Sequence, residues 1–261
     1  MSEALVRLVA ERFETFAGQF LNDPGDDFAF RLKIAHTKRV QAISETIARD
    51  EGLPEHLALA ARLAALMHDV GRFPQYRQFR TFRDPDSANH AGLSVTHALR
   101  EKLLADVPGN IRRLVLGATF LHNKRSLPHL ASEDLRTVSR VIRDSDKLDI
   151  YSVIIAHFSQ ENPEHPEVAM NVIDEPRMYT APVLDALLRR EPGDYRTIVY
   201  VNDFKLMTIG WLYDLNFRTS CRLLKERAYL DTLFDTLPRD EKLALFRRQI
   251  STDLAHRLAG A

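Results

Sequence analysis

Residues 55–71, EHLALAARLAALMHDVG, decide how the rest of the chain reads. Leu57, Ala61, Ala64 and His68 recur at the three- and four-residue spacing of one helix face. The stripe predicts a helix over 55–70 that ends on a polar pair, His68-Asp69. Adjacent helical side chains diverge by about 100°, so the pair can meet one ion only where the backbone loosens. Gly71 marks such an end, since it accommodates a left-handed residue easily.

The same reading extends in both directions. Period-two alternation is nearly absent, while helical stripes recur at 2–21, 28–50, 55–70, 87–105, 109–122, 133–158, 197–230 and 239–258. The fold class is therefore all-α. Pro54, Pro85 and Pro108 stand at or near helix starts, and Gly52, like Gly71, stands just past a helix end. Pro163, Pro166, Pro176, Pro182 and Pro192 mark 159–196 as an irregular connection or lid. It separates a helical core, 1–158, from a C-terminal helical lobe, 197–261, expected to pack on that core.

Several apolar stripes are interrupted by metal-capable side chains. Helix 28–50 presents Leu32, His36, Val40, Ile43 and Ile47; helix 109–122 presents Ile111, Val115, Ala118 and His122. Helix 133–158 presents Val138, Ile142, Asp146, Ile150 and Val153, and His90 opens a helix whose face continues through Leu93 and Ser94. A carboxylate buried in an apolar stripe is costly unless paired or bound to metal. Four histidines and two aspartates on successive helices converge naturally in a bundle interior, so a metal centre is expected. Asp144 rivals Asp146 but points about 200° away, off the apolar face. His56, His129, His165 and His256 read as loop or surface groups, and His97 as a core group or a support behind the ligands. His157 lies three turns beyond Asp146, about 16 Å, too far to share its ion.

Composition narrows the function. Lysine plus arginine equals aspartate plus glutamate, 36 against 36, so no global field grips nucleic acid or an anionic membrane. The single cysteine, Cys221, excludes disulfide frameworks and thiolate metal sites, which leaves ten histidines to carry ligand chemistry. Apolar runs fall short of the roughly 18 residues a spanning helix needs. The start, MSEALVRLVAERFETF, lacks a signal-peptide stretch, so a cytoplasmic location is expected.

His36, His68-Asp69, His90, His122 and Asp146, taken in order, resemble the HD-domain superfamily of metal-dependent hydrolases. The words LMHDVGRFPQ (66–75), NHAGLS (89–94), HNK (122–124) and RDSDKLDIY (143–151) carry the likeness over about 28–158. The resemblance implies an HD-type helical bundle with a C-terminal helical extension. It implies that His36, His68, Asp69 and Asp146 hold one ion. Asp69 would bridge to a second ion, completed by His90 and His122. The two extra histidines make the chain similar to the dinuclear branch. It departs from the HD-GYP pattern, having HDVGR in place of HDIGK and no GYP tripeptide.

Nitrogen and oxygen ligands suit Fe, Mn, Ni, Co or Zn better than Mg, two ions per chain. The expected activity is hydrolysis of a phosphoester or phosphoanhydride by a metal-activated water. Its partner would be a small phosphorylated substrate, a nucleotide for preference, with no nucleic acid and no membrane. A homodimer stays open. Asp69, Arg72, Lys124 and Lys147 are the expected catalytic groups, the three cations meeting phosphate, with Arg77 and Arg80 as further candidates. The alternatives are an inositol-oxygenase-like di-iron oxygenase and a non-catalytic nucleotide or metal sensor. In the lobe, Phe204, Thr208, Trp211 and Leu215 read as core or interface. Arg218, Arg222, Lys225 and Arg227 read as a solvated face, and Asp203 and Asp214 as acids free to approach the site.

Overall fold

Helix follows helix in the computed structural model, which describes residues 2–21, 27–129, 132–158, 172–191 and 193–259. In chain order they are α1 (Ser2–Gly18), α2 (Phe28–Asp50), α3 (Glu55–Met67), α4 (Arg72–Phe79), α5 (His90–Arg100), α6 (Gly109–Leu121) and α7 (Glu133–Phe158). Then come α8 (Ala181–Leu188), α9 (Val201–Gly210), α10 (Arg218–Glu226), α11 (Tyr229–Asp235) and α12 (Glu241–Ala259). No strand occurs among the described residues; an isolated parallel bridge joins Ile173 to Tyr200. The all-α expectation holds. No helix among the described residues is long and apolar enough to cross a membrane.

The chain divides into two units, Met1–Asp149 and Ile150–Ala261. The first is organised by α3, where Leu57, Ala60, Ala61 and every residue from Leu63 to Met67 are buried. A helix that is apolar nearly all round belongs in an interior, and α3 packs against α1, α2, α5 and α6. Its alanines let those neighbours approach closely. Beside it Phe13, Phe16, Phe20, Phe30 and Phe73 interlock with ring centroids 5.3–6.2 Å apart. Each fully buried aromatic of this kind contributes about 1.5–3 kcal/mol.

In the second unit the side chain of Asp203 holds the entry to α9. It accepts from the Thr180 amide (2.5 Å) and hydroxyl (2.7 Å) and from the amides of Val199 and Tyr200 (both 2.9 Å). Asp203 is thus committed within its own unit, not a free acid. Asp214 lies in a 3₁₀ turn, Trp211–Asp214. Phe204, Thr208 and Leu215 are buried, and Trp211 meets Tyr151 edge-on at 5.5 Å.

Several boundaries differ from those read in the sequence. The expected helix 197–230 is broken: Leu215 and Phe217 are extended, and Ala228 is left-handed (φ 52°). The apolar spacing runs through this break, although Gly210 stands at the end of α9, where the helix first stops. Helix 87–105 is only His90–Arg100, because Asp84–Asp86 form a 3₁₀ turn and Lys102 turns left-handed (φ 53°). Pro85 belongs to that turn, whereas Pro54 and Pro108 cap α3 and α6 as expected. Two short helices, α4 and α8, were read as loop. Of the proposed lid, 159–171 and 192 lie outside the described residues, as does His165, and α8 lies within the remainder. Gly52 takes the left-handed conformation (φ 62°), but Gly71 does not (φ −66°). Gly71 is needed for a different reason: a Cβ there would stand 2.5 Å from the Ser94 amide and nearer still to the His90 carbonyl.

Candidate metal centre

Six side chains expected at the site lie in the first unit on three helices and two helix ends. His36 comes from the middle of α2; His68 and Asp69 from the turn that closes α3; His90 from the first residue of α5. His122 follows the last residue of α6, and Asp146 comes from the middle of α7. All four histidines and Asp69 are buried, and the Asp146 side chain is 21% exposed. The close approach at Gly71 brings the His68-Asp69 turn against the start of α5, and with it His90.

Every one of these histidines turns Nε2 inward and has Nδ1 tied to an acceptor. His68 Nδ1 donates to the Ala65 carbonyl and His122 Nδ1 to the Thr119 carbonyl, both at 2.7 Å. His36 Nδ1 donates to Asp149 Oδ2 at 2.7 Å, and His90 Nδ1 to the Asp84 carboxylate at 2.7 and 2.8 Å. Carbonyl and carboxylate oxygens only accept, so the ring proton belongs on Nδ1 and a bare lone pair on Nε2. This outward bond is how proteins fix a metal-binding imidazole.

The lone pairs meet in two groups. His36 Nε2 lies 3.2 Å from His68 Nε2, 3.2 Å from Asp146 Oδ1 and 3.5 Å from Asp69 Oδ2. His68 Nε2 completes the group at 3.7 Å from Asp69 Oδ2 and 3.8 Å from Asp146 Oδ1. In the second group, His90 and His122 bring their Nε2 atoms to 3.0 Å, with Asp69 Oδ1 at 3.7 and 3.9 Å from them. Asp69 therefore offers one oxygen to each group. Ligand atoms about 2.1 Å from one divalent ion stand about 3.0–3.4 Å from one another. Facing lone pairs at such spacings repel unless a cation lies between them. The donor set fits two divalent ions sharing Asp69.

For three of the four rings electrostatics agree with that use. Burial and the His90 and His68 rings push His122 down to about 3. Burial also lowers His68 and His90, so these rings are neutral ligands near neutral pH. Burial would raise Asp69 and Asp146, but Lys33, His68 and Arg72 hold the first well below the ordinary carboxylate range. His36 and His68 likewise hold Asp146 low. His36 alone is raised: burial and Lys33 disfavour its charge, but Asp146 and Asp149 outweigh them.

The supporting residues were not found from the sequence. Asp149, one turn after Asp146 on α7, takes His36 on Oδ2 and Arg39 Nε on Oδ1 at 2.6 Å. Asp84 gathers His90, Gln75 (3.0 Å), Asn123 (3.2 Å) and Arg72 (3.1 Å) around one carboxyl. Burial would raise it, but His90 and Arg72 hold it at about 2. Lys33, one turn before His36, donates to Asp69 Oδ2 at 2.8 Å. The spacings of Asp149 and Lys33 carried a signal, one helical turn from a ligand. Asp84 carried none, being in a short turn that only the fold brings to His90. Asp144, read as pointing off the apolar face, is fully buried. The face of α7 opposite the ligands is therefore also covered, which a single stripe does not reveal.

The expected cations are used in different ways. Arg72 Nη1 donates to Gln75 (2.9 Å), to Asp84 and to the Phe82 carbonyl, and Nε stands 3.4 Å from Asp69 Oδ1. Lys124 lies over the Phe120 ring at 5.0 Å, and Lys147 Nζ is 3.5 Å from the Arg143 carbonyl. Arg77 turns to α1, donating to the Gln19 carbonyl and lying 3.9 Å over Phe20; Arg80 is exposed beside Tyr76. Of the other histidines, His97 packs against Phe16 (6.0 Å) and His157 against Phe158 (5.3 Å). His56, His129 and His256 are exposed.

No curated protein matches the chain. The family model of the HD domain matches residues 34–151, a span that holds His36, His68, Asp69, His90, His122 and Asp146. Buried histidine–aspartate groups compatible with that family's metal site complete the identification. The match of residues 34–151 to the HD domain, with these buried groups, points to the superfamily of metal-dependent phosphohydrolases.

Proposed function

We propose that the protein is a two-ion phosphohydrolase that cleaves a phosphoester or phosphoanhydride of a small anionic substrate, a nucleotide for preference. The observation that carries this reading is Asp69, whose two oxygens face two separate pairs of inward-turned Nε2 atoms. His36, His68 and Asp146 would hold one divalent ion with Asp69, and His90 and His122 the other. Two such ions would supply Lewis acidity and a water acidified toward neutral pH.

The chain's own groups set the stage for that chemistry. Asp149 and Asp84 orient His36 and His90 and keep their protons on Nδ1. Arg72 offsets the charge of Asp69 and Asp84 together, so both carboxylates stay ionised at the site. Lys124 and Lys147, beside His122 and Asp146 in sequence, are the cations we assign to the substrate's phosphate. No serine nucleophile or glycine-rich phosphate loop competes for the role.

The test is elemental analysis of protein purified without added metal, followed by assay on a panel of phosphomonoesters and phosphoanhydrides. Two ions of Mn, Ni, Co or Zn per chain and phosphate release that Asp69→Asn abolishes support the reading. Iron with O2 uptake and no phosphate release would replace it with a di-iron oxygenase. Metal binding without turnover on any substrate would replace it with a sensor.

A further inference from the structure

Asp69 carries two cations as well as facing two histidine pairs. Lys33 Nζ donates to Oδ2 at 2.8 Å, the oxygen turned toward His36 and His68. Arg72 Nε stands 3.4 Å from Oδ1, the oxygen turned toward His90 and His122. The two are held very differently. Arg72 is pinned by Gln75, Asp84 and the Phe82 carbonyl. Lys33 has Asp69 as its sole hydrogen-bond partner among the described residues, and the rest of its contact is the Phe82 ring at 5.2 Å. Its side chain is 17% exposed against 4% for Asp69. The ammonium therefore sits where the buried carboxylate meets solvent. A lysine is a point charge on a flexible stem, free to change partners where a planar, multiply bonded guanidinium is not.

This placement answers two different needs. A buried carboxylate without a counter-charge is strongly unfavourable, and Lys33 supplies that charge on the Oδ2 side while Arg72 supplies it on the Oδ1 side. A divalent ion between His36 and His68 would claim the same Oδ2 and repel the ammonium. Lys33 would then be an unpaired cation beside a positively charged centre. Its natural next partner is an anion bound there. We propose that Lys33 is an exchangeable cation: it is the counter-ion of Asp69 in the metal-free protein and the phosphate anchor in the loaded one. The proposal rests on the two-ion phosphohydrolase reading and deepens it, because it makes recognition depend on a substrate carrying phosphoryl charge at the first ion.

The experiment uses the full chain, stripped of metal, as wild type, Lys33→Met and Lys33→Arg. Mn2+ is titrated by calorimetry, and inorganic phosphate is then titrated into the Mn2+-loaded protein. Lys33→Met is expected to bind Mn2+ about tenfold more tightly and phosphate about ten- to a hundredfold more weakly. Lys33→Arg is expected to keep phosphate binding within about tenfold of wild type, since the charge is kept. A second measurement needs no variant: amine labelling of wild-type Lys33, read by mass spectrometry. Labelling should rise on adding Mn2+ and fall again on adding phosphate. Unchanged Mn2+ and phosphate affinities in Lys33→Met, or labelling indifferent to both ligands, would leave Lys33 as a structural ion pair and overturn the exchange alone. Wild type that takes up no Mn2+ would instead overturn the two-ion reading, and the exchange with it.

Discussion

Ser94 clamps Gly71 against the first turn of α5, accepting from the Gly71 amide at 2.8 Å. The same hydroxyl donates to the His68 carbonyl at 2.7 Å. One buried side chain thus fixes the His68-Asp69 turn relative to the helix that carries His90. Gly71→Ala would drive a methyl into the backbone of His90 and Ser94. Backbone cannot give way as a flexible side chain does, so a loss of at least about 1–3 kcal/mol is expected. Ser94→Ala leaves a buried amide without an acceptor, at about 1–3 kcal/mol. Chemical denaturation checks both, and metal uptake should fall with them because the two histidine pairs separate. A Gly71→Ala protein as stable as wild type would show that the close approach is not required.

Asp149 and Asp84 each orient one histidine, in different groups. On the two-ion proposal, Asp149→Asn should weaken the ion assigned to His36 and His68, and Asp84→Asn the ion assigned to His90 and His122, each about 10–100-fold. At a metal concentration between the two affinities, each variant should retain one ion where wild type retains two. Elemental analysis after dialysis reads this directly. Loss of both ions in either variant would mean that Asp69 couples the groups too tightly for separate supports.

Helices α2 and α7 begin and end where the apolar stripe predicts, because long stripes average over local noise. The six site residues interrupt those stripes, which is why they stood out, and the fold does bring them together. Helix α4 was missed since RFPQYRQF is only eight residues and carries little apolar periodicity, with Pro74 inside its first turn. The groups supporting the ligands carried at most a weak signal. Lys33 and Asp149 look like ordinary surface charges one turn from a ligand, and Asp84 reaches His90 only through a 3₁₀ turn. Arg72 was legible as a cation near the site, but not as one already divided between Asp69 and Asp84.

Metal removal should separate fold from site. The bundle is held by an apolar core around α3, so chelated protein is expected to keep its helical circular dichroism. Its melting temperature should fall, because an ion that binds only the native state stabilises it by about 2.7 kcal/mol at a hundredfold excess over its Kd. Returning Mn2+ should restore the melt. A chelated chain that loses its helicity would instead make the metals part of the folding nucleus.

Asp253 offers a pH test that involves none of the expected metal ligands. In the second unit it accepts from Arg190 Nε at 2.8 Å and from the Tyr213 hydroxyl at 2.9 Å. Burial would raise its carboxyl, but Arg190 and Tyr213 hold it below its ordinary value of 3.8. A carboxylate lowered in the fold stabilises fully above that ordinary value, and the gain disappears as pH falls through the lowered native one. Tyr213 works at the other end. Burial raises its phenol to about 12, and the Asp253 charge adds to this against the Gln249 donor. A raised group stabilises below its ordinary value of 10.0 and loses that contribution as pH climbs toward 12. Asp253→Asn should therefore lower the melting temperature across neutral pH. The gap to wild type should close in acid, as the native carboxyl is protonated, and narrow again above about pH 10. Melting curves of both proteins over that range decide it, and a gap independent of pH would assign the loss to packing, not to the charge of Asp253.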